Sequence, residues 1–180
     1  MTLDAAAEPA ASAVTGVNRR CLAVLAAVAV TAVVLDQWTK HWIVSSIGPR
    51  LDAGEGPIVL LGGLLRITYV ENTGAAFSMG AGYTWIFSII AGGVAVVILR
   101  SARRLGSVWW AVGLGGLLGG LLGNLIDRLT RPPGPGLGYV VDWIQLPHFA
   151  VFNVADSFIT CSALLMVVLA VRGVPFSGRD

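Results

Sequence analysis

The chain has 180 residues, of which 56% are hydrophobic and 12% charged. Soluble domains carry about 25% charged residues, so this composition excludes an ordinary water-soluble fold. A net charge of +2, spread thinly along the chain, also excludes a nucleic-acid partner.

Residues 1–18 are Ala-rich and aperiodic, which predicts a disordered N-terminal tail. Residues 19–172 read as one membrane domain, and residues 173–180 as a short C-terminal tail. Four segments approach the about 20 apolar residues needed to cross a bilayer: 21–44, 83–99, 107–126 and 149–171. Arg19 and Arg20 before the first span give it the look of a secretory signal. No small-residue cleavage site follows, so it reads as a retained anchor. Arg19, Arg20, Arg100, Arg103, Arg104, Arg172 and Arg179 all flank span ends on one side, which predicts that both termini are cytoplasmic. Trp38, Trp42, Trp85, Trp109 and Trp110 lie near span ends, as in an aromatic belt.

Two loops are left for the outer face, 45–82 and 128–148. In the first, β-branched and aromatic residues around Arg66–Val70, with Gly62-Gly63 as a turn, predict a hairpin or small sheet. The second contains RPPGPGLG, which cannot be helical. The glycines of 113-GLGGLLGGLLG-123 recur four apart and let helix backbones approach closely. Cys21 and Cys161 lie in apolar runs without partner spacing, so neither a disulfide nor a metal site is expected.

Most of the acids outside the tails lie toward the outer side. Asp36 and Lys40 are on one face of the first span; alone, they read as an intrahelical ion pair near the headgroups. Asn124, Asp127 and Arg128 share a face at the end of the third span, and Asn153 and Asp156 sit near the start of the fourth. On these boundaries Asp156 falls about two turns into its span. Asp142 stands alone in the apolar run YVVDW. Ionisable groups in a membrane protein are costly and face a bundle interior or a wet cavity. Three clusters at one depth therefore point to a shared site.

Two carboxylates brought together cannot both stay ionised, so such a pair holds one acid and one base. That pair can activate water and protonate a peptide carbonyl without a covalent intermediate. There is no Gly-x-Ser-x-Gly and no His-Glu-x-x-His, and His41 and His148 are far apart. A two-aspartate hydrolase using Asp142 and Asp156 is the reading that uses the residues present. A proton- or ion-coupled carrier and a non-enzymatic assembly subunit stay open as alternatives, although polar residues at one face do not line a path across.

Five elements, 36-DQWTK-40, 71-ENTGAAFS-78, 123-GNLIDR-128, 139-YVVDW-143 and 152-FNVADS-157, occur in an order that resembles the lipoprotein signal peptidase (signal peptidase II) family of intramembrane aspartic peptidases. The likeness covers about residues 20–171. It implies an all-α membrane fold of four transmembrane helices with a small extracytoplasmic β-cradle and a short outer loop or helix. It implies Asp142 and Asp156 as catalytic dyad, and Asp36, Lys40, Asn72, Gly74, Asn124, Asp127, Arg128 and Asn153 as substrate-binding or site-supporting residues. The implied substrate is a diacylglyceryl-modified prolipoprotein, cut just before its lipidated cysteine in the bacterial inner membrane. The implied enzyme is a monomer with no metal or cofactor, whose partners are substrate and membrane lipid. The chain departs from the family pattern in a short connection between the two aspartates, in Pro-Pro-Gly-Pro-Gly, and in a long N-terminal tail. His148 receives no role.

Overall fold

The computed structural model describes residues 18–74 and 84–177. The tail read over residues 1–17 and the segment 75-AAFS-78 lie outside the described residues, and so does the end of the C-terminal tail. Asn18 stands just ahead of the first helix, where its side chain accepts from Cys21 N and caps α1 (Arg19–Trp42). A widened turn, Ile43–Ile47, then carries the helix without a break into α2 (Gly48–Asp52). Pro49 at the start of α2 explains the widening. Its ring would press on the carbonyl four residues earlier in a regular helix. Three further long helices follow: α3 (Thr84–Ser101), α4 (Val108–Thr130) and α5 (Val154–Val171). Among the described residues four helical runs are thus long and apolar enough to cross a membrane.

The bundle is apolar outside and partly polar within. Val30, Val34, Ile89, Leu164 and Val171 are exposed, as suits helices solvated by acyl chains, while Asp36, Lys40, Asp127 and Asn153 are buried. Between helices in lipid, close packing replaces the hydrophobic driving force. Here α4 is the central helix, and its glycine run shows how. A Cβ on Gly115 or Gly119 would press on Leu25 O or Ala29 O of α1, whereas one on Gly120 would meet Ala155 O of α5. One glycine row therefore seats α1 and the adjoining row seats α5. At the opposite end of α5, Val174–Phe176 docks on the α3–α4 turn. Gly106 N donates to Phe176 O, and Trp110 Nε1 donates to Val174 O, both at 2.9 Å.

A three-stranded antiparallel sheet covers the end of the bundle near Asp127 and Asn153. Its strands are β1 (Ile58–Leu60), β2 (Leu65–Asn72) and β3 (Val140–Gln145), in the order β1-β2-β3. Gly62 and Gly63, at φ 65° and 99°, make the connection between β1 and β2 in a region that favours glycine. The expected hairpin is therefore present. The third strand was not expected: YVVDW pairs with β2, placing Asp142 opposite Val70. Val141 turns the other way, into a small core with Ile43, Ile47 and Tyr69. This period-2 alternation leaves Asp142 facing the helices.

One expectation is corrected. Asp156 is not two turns into its helix. It is the third residue of α5, because residues 149–153 are not helical and Phe152 pairs instead with Ile144 of β3. Phe-Ala-Val-Phe is apolar enough to pass for membrane helix, yet Phe152 N donates to Ile144 O and Phe152 O accepts from Ile144 N of β3.

Candidate active site

Each aspartate owes its place to local structure. Asn153 caps α5 by accepting from Asp156 N at 2.9 Å, and Asp156 Oδ2 accepts in return from Asn153 N at 3.1 Å. This reciprocal capping box uses amides that a helix start otherwise leaves unpaired. It also points the remaining oxygen, Oδ1, at Asn124 Nδ2, 2.8 Å away on α4. Asp142 is 2% exposed. Its Oδ1 accepts from Asn153 Nδ2 at 2.7 Å and its Oδ2 from Asn72 Nδ2 at 2.8 Å. Three asparagines, on β2, on α4 and at the head of α5, thus hold two carboxylates. Asn153 touches both.

Behind this pair lies an ionic cluster. Lys40 Nζ is 2.8 Å from Asp36, 2.9 Å from Asp127 and 2.8 Å from Asn124 Oδ1. Lys40 and Asp36 are fully buried, so the sequence reading of an ion pair near the headgroups is replaced by a junction of three segments. Asp36 Oδ1 also accepts from Ala155 N of α5 at 3.0 Å. Asp127 accepts from Arg131 Nε at 2.8 Å and from Val141 N of β3 at 3.2 Å. Gly123 makes room for this, since a Cβ there would fall 2.6 Å from Asp36 Oδ2.

Asp142 and Asp156 both open on one cavity of about 560 Å³. Asn72, Gly74, Asn124 and Arg128 form its polar wall, and Leu146, Phe149 and Phe152 much of its apolar wall. Arg128 donates from Nη2 to Gly74 O at 2.9 Å and lies over the Phe87 ring, while its Nη1 is buried without a partner among the described residues. Gly74 N in turn donates to Asn72 Oδ1 at 2.9 Å, which locks the Asn72–Gly74 turn between Asp142 and Arg128. Burial, and after it the charge of Asp156, raises the Asp142 carboxyl to about 7, although hydrogen bonds from Asn72 and Asn153 and the charge of Lys40 pull the other way. Counting charges explains how the site tolerates burial. Lys40, Arg128 and Arg131 face Asp36, Asp127, Asp142 and Asp156, so one proton on the Asp142–Asp156 pair neutralises the group. Among the described residues no group of three His, Cys, Asp or Glu side chains is placed to hold a metal ion.

Residues 28–172 match the family described as Signal peptidase (SPase) II. The chain belongs to the signal peptidase II family. It is 47% identical over 157 residues to the lipoprotein signal peptidase of Mycobacterium avium (strain 104), covering 87% of this chain and 84% of that protein. It is 49% identical over 161 residues to the lipoprotein signal peptidase of Streptomyces coelicolor, covering 89% and 76%. Among solved structures it is similar to a bacterial membrane enzyme determined by the in meso method at 2.3 Å resolution. That likeness has a TM-score of 0.70 and 26% identity, and covers 88% of this chain and 96% of the other. A second such enzyme, at 1.9 Å resolution, gives 0.68 and 28%, covering 83% and 93%.

In this signal peptidase II the ten residues singled out from sequence converge at one end of the bundle, but they do not share one position. Asn72, Gly74, Asn124, Arg128, Asp142 and Asp156 line the cavity. Asp36, Lys40, Asp127 and Asn153 stand behind it, holding those that do. Sequence reasoning missed Arg131, whose guanidinium is the second cation on Asp127, and the apolar wall of Leu146, Phe149 and Phe152. Large apolar side chains around a helix-breaking proline, in 146-LPHFAVF-152, were the available signal. His148 sits in that turn with φ 58°.

Proposed function

We propose that this peptidase is an aspartic endopeptidase that removes the signal peptide of diacylglyceryl-modified prolipoproteins, cutting just before the lipidated cysteine. The observation that carries the reading is the facing of Asp142 and Asp156 on one cavity, with Asn153 bonded to both. The relatives' name, lipoprotein signal peptidase, supports the substrate class.

On this reading Asp142 holds the shared proton at neutral pH, as its raised pKa favours. Asp156 accepts a proton from a water in the cavity, and that water's oxygen attacks the scissile carbonyl carbon. Asp142 gives its proton to the carbonyl oxygen, which forms a tetrahedral diol. Collapse of the diol breaks the C–N bond: one hydroxyl proton returns to the dyad, and the leaving amine takes the proton held on Asp156. Arg128 Nη1 and Asn72 supply donors for the substrate backbone beside Asp142. The apolar wall of Leu146, Phe149 and Phe152 accepts acyl chains or the signal-peptide side chains nearest the cut.

The proposal places the chain in the bacterial inner membrane as a monomer, with both termini cytoplasmic and the sheet at the outer face. Residues 19–172 form the peptidase domain on this proposal. A substrate helix then meets the dyad where it leaves the bilayer. The deciding experiment incubates purified enzyme with a diacylated precursor peptide and its unlipidated twin. Cleavage of the diacylated peptide alone, one bond before the modified cysteine and unaffected by a chelator, is expected. Equal cleavage of both peptides would remove the lipid requirement, and chelator-sensitive cleavage would remove the metal-free dyad.

A further inference from the structure

Lys40 does not line the cavity, yet two bonded paths lead from its ammonium to the two aspartate-bearing segments. Along one path, Lys40 Nζ meets Asp36 at 2.8 Å, and Asp36 Oδ1 accepts from Ala155 N, the amide just before Asp156. Along the other, Lys40 Nζ meets Asp127 at 2.9 Å, and Asp127 Oδ2 accepts from Val141 N, the amide just before Asp142. A third bond, at 2.8 Å, goes to the oxygen of Asn124, whose nitrogen holds Asp156 Oδ1. The two halves of the dyad come from different elements, β3 and α5, joined by the turn at Leu146–Phe149. Asn153 and the Phe152–Ile144 pairing tie the two segments to each other, and the Lys40 cluster adds an anchor from α1 and α4 that holds both against the bundle.

We propose that Lys40 is a positioning residue for peptide hydrolysis, its ammonium tying together the two carboxylates that each grip the backbone immediately ahead of a catalytic aspartate. The proposal rests on the dyad reading of Asp142 and Asp156. A buried ion cluster by itself adds little net stability, because desolvation offsets attraction; removing one member leaves the others unpaired. What the cluster does supply is geometry and charge. Misplacing reacting groups by about 1 Å costs roughly 100-fold in rate. The charged groups that face the dyad are Asp36 and Lys40 from α1, Asp127 and Arg128 from α4, and Arg131 just beyond it. Glu71 on β2 is turned away, to the Tyr69 hydroxyl. Removing a cation or an anion from this set should therefore move the dyad in opposite directions.

The test measures kcat, KM and the pH profile for a diacylated precursor peptide with purified, inserted Lys40→Met, Asp36→Asn and Asp142→Asn enzymes. Lys40→Met should lower kcat roughly 100-fold with little change in KM, and its bell-shaped profile should move to higher pH. Asp36→Asn keeps an oxygen for Ala155 N but loses a negative charge, so its profile should move to lower pH. A rise in KM at constant kcat in Lys40→Met would make Lys40 a substrate contact and overturn the proposal. Lost activity with an unmoved profile in both variants would reduce Lys40 to a folding role and overturn it equally. If Lys40→Met does not insert, the direction of the Asp36→Asn shift decides. Asp142→Asn separates the two layers of inference. Its retention of activity would defeat the dyad reading itself, whereas its inactivity beside unmoved profiles would defeat only the role of Lys40.

Discussion

Asn153 and Asp142 meet at 2.7 Å, amide nitrogen to carboxylate oxygen, while the backbone N–H of Asn153 reaches Asp156 at 3.1 Å. One residue therefore caps a helix and aligns two acids, and substitution can separate the two tasks. Asn153→Ser retains a good N-cap but has no amide to offer Asp142. Its melting temperature should stay near that of the parent while kcat falls roughly 100-fold. Asn153→Ala loses both roles, and should cost about 1 kcal/mol of stability in addition. Equal activities for parent and Asn153→Ser would show that the capping bond alone matters.

The two aspartates themselves should be indispensable. On the proposed mechanism Asp142→Asn and Asp156→Asn each remove an acid/base partner worth about 10²–10⁴-fold, so cleavage of a diacylated peptide should drop to background in either. Both variants should remain inserted and helical. At position 142 the single amide oxygen of Asn can keep accepting from either Asn72 or Asn153, and at position 156 it can keep accepting from Asn153 N. Circular dichroism and cleavage on the same preparations check this pair of expectations.

The proton on Asp142 links activity to stability. Its carboxyl is raised from 3.8 to about 7, by burial first and the charge of Asp156 second. Between those values the folded chain holds a proton that the unfolded chain has released. The stability contributed by this group is therefore complete below pH 3.8 and declines as pH rises to about 7, where the slope ends. Asp142→Asn cannot ionise, so it should lose that slope and melt higher than the parent at pH 8. On the proposed mechanism parent activity should fall as pH climbs past about 7, because the Asp142–Asp156 pair then loses its shared proton. Melting curves and initial rates across pH 5–9 would register both trends, an estimated window of about two units either side of the Asp142 value.

What could be read from the sequence divides along physical lines. Helical spans are dictated by an apolar run of fixed length, and the described residues hold four where four were expected. Asp36 with Lys40, and Asn124 with Asp127, were readable as helix faces because a helix fixes its neighbours locally. Their meeting across helices was not, since it depends on Gly115, Gly119 and Gly123 admitting α1. β3 escaped notice because Tyr-Val-Val is as consistent with lipid or core as with a strand until its partner, β2, is known. The same ambiguity moved the start of α5: Phe149–Phe152 is greasy, but Phe152 pairs with Ile144 and the helix begins only at Val154. Arg131 follows a helix end and looked like loop, whereas α4 continues to Thr130 and brings it onto Asp127.

The glycine rows make a sharper test of packing than any core residue. A Cβ on Gly119 would lie 2.6 Å from Ala29 O and 2.6 Å from Ala32 Cβ, both on α1, with backbone that cannot swing aside. Gly119→Ala must therefore push α1 from α4, an overpacking cost of about 1–3 kcal/mol despite the better helix propensity of alanine. Because α1 carries Asp36 and Lys40, activity should fall along with the melting temperature. Gly92→Ala on α3 is the control. It meets nothing within 4 Å and should be neutral or stabilising by up to about 1 kcal/mol. If the two variants melted alike, the close α1–α4 approach would be wrong, and with it the route by which Asp36 reaches the head of α5.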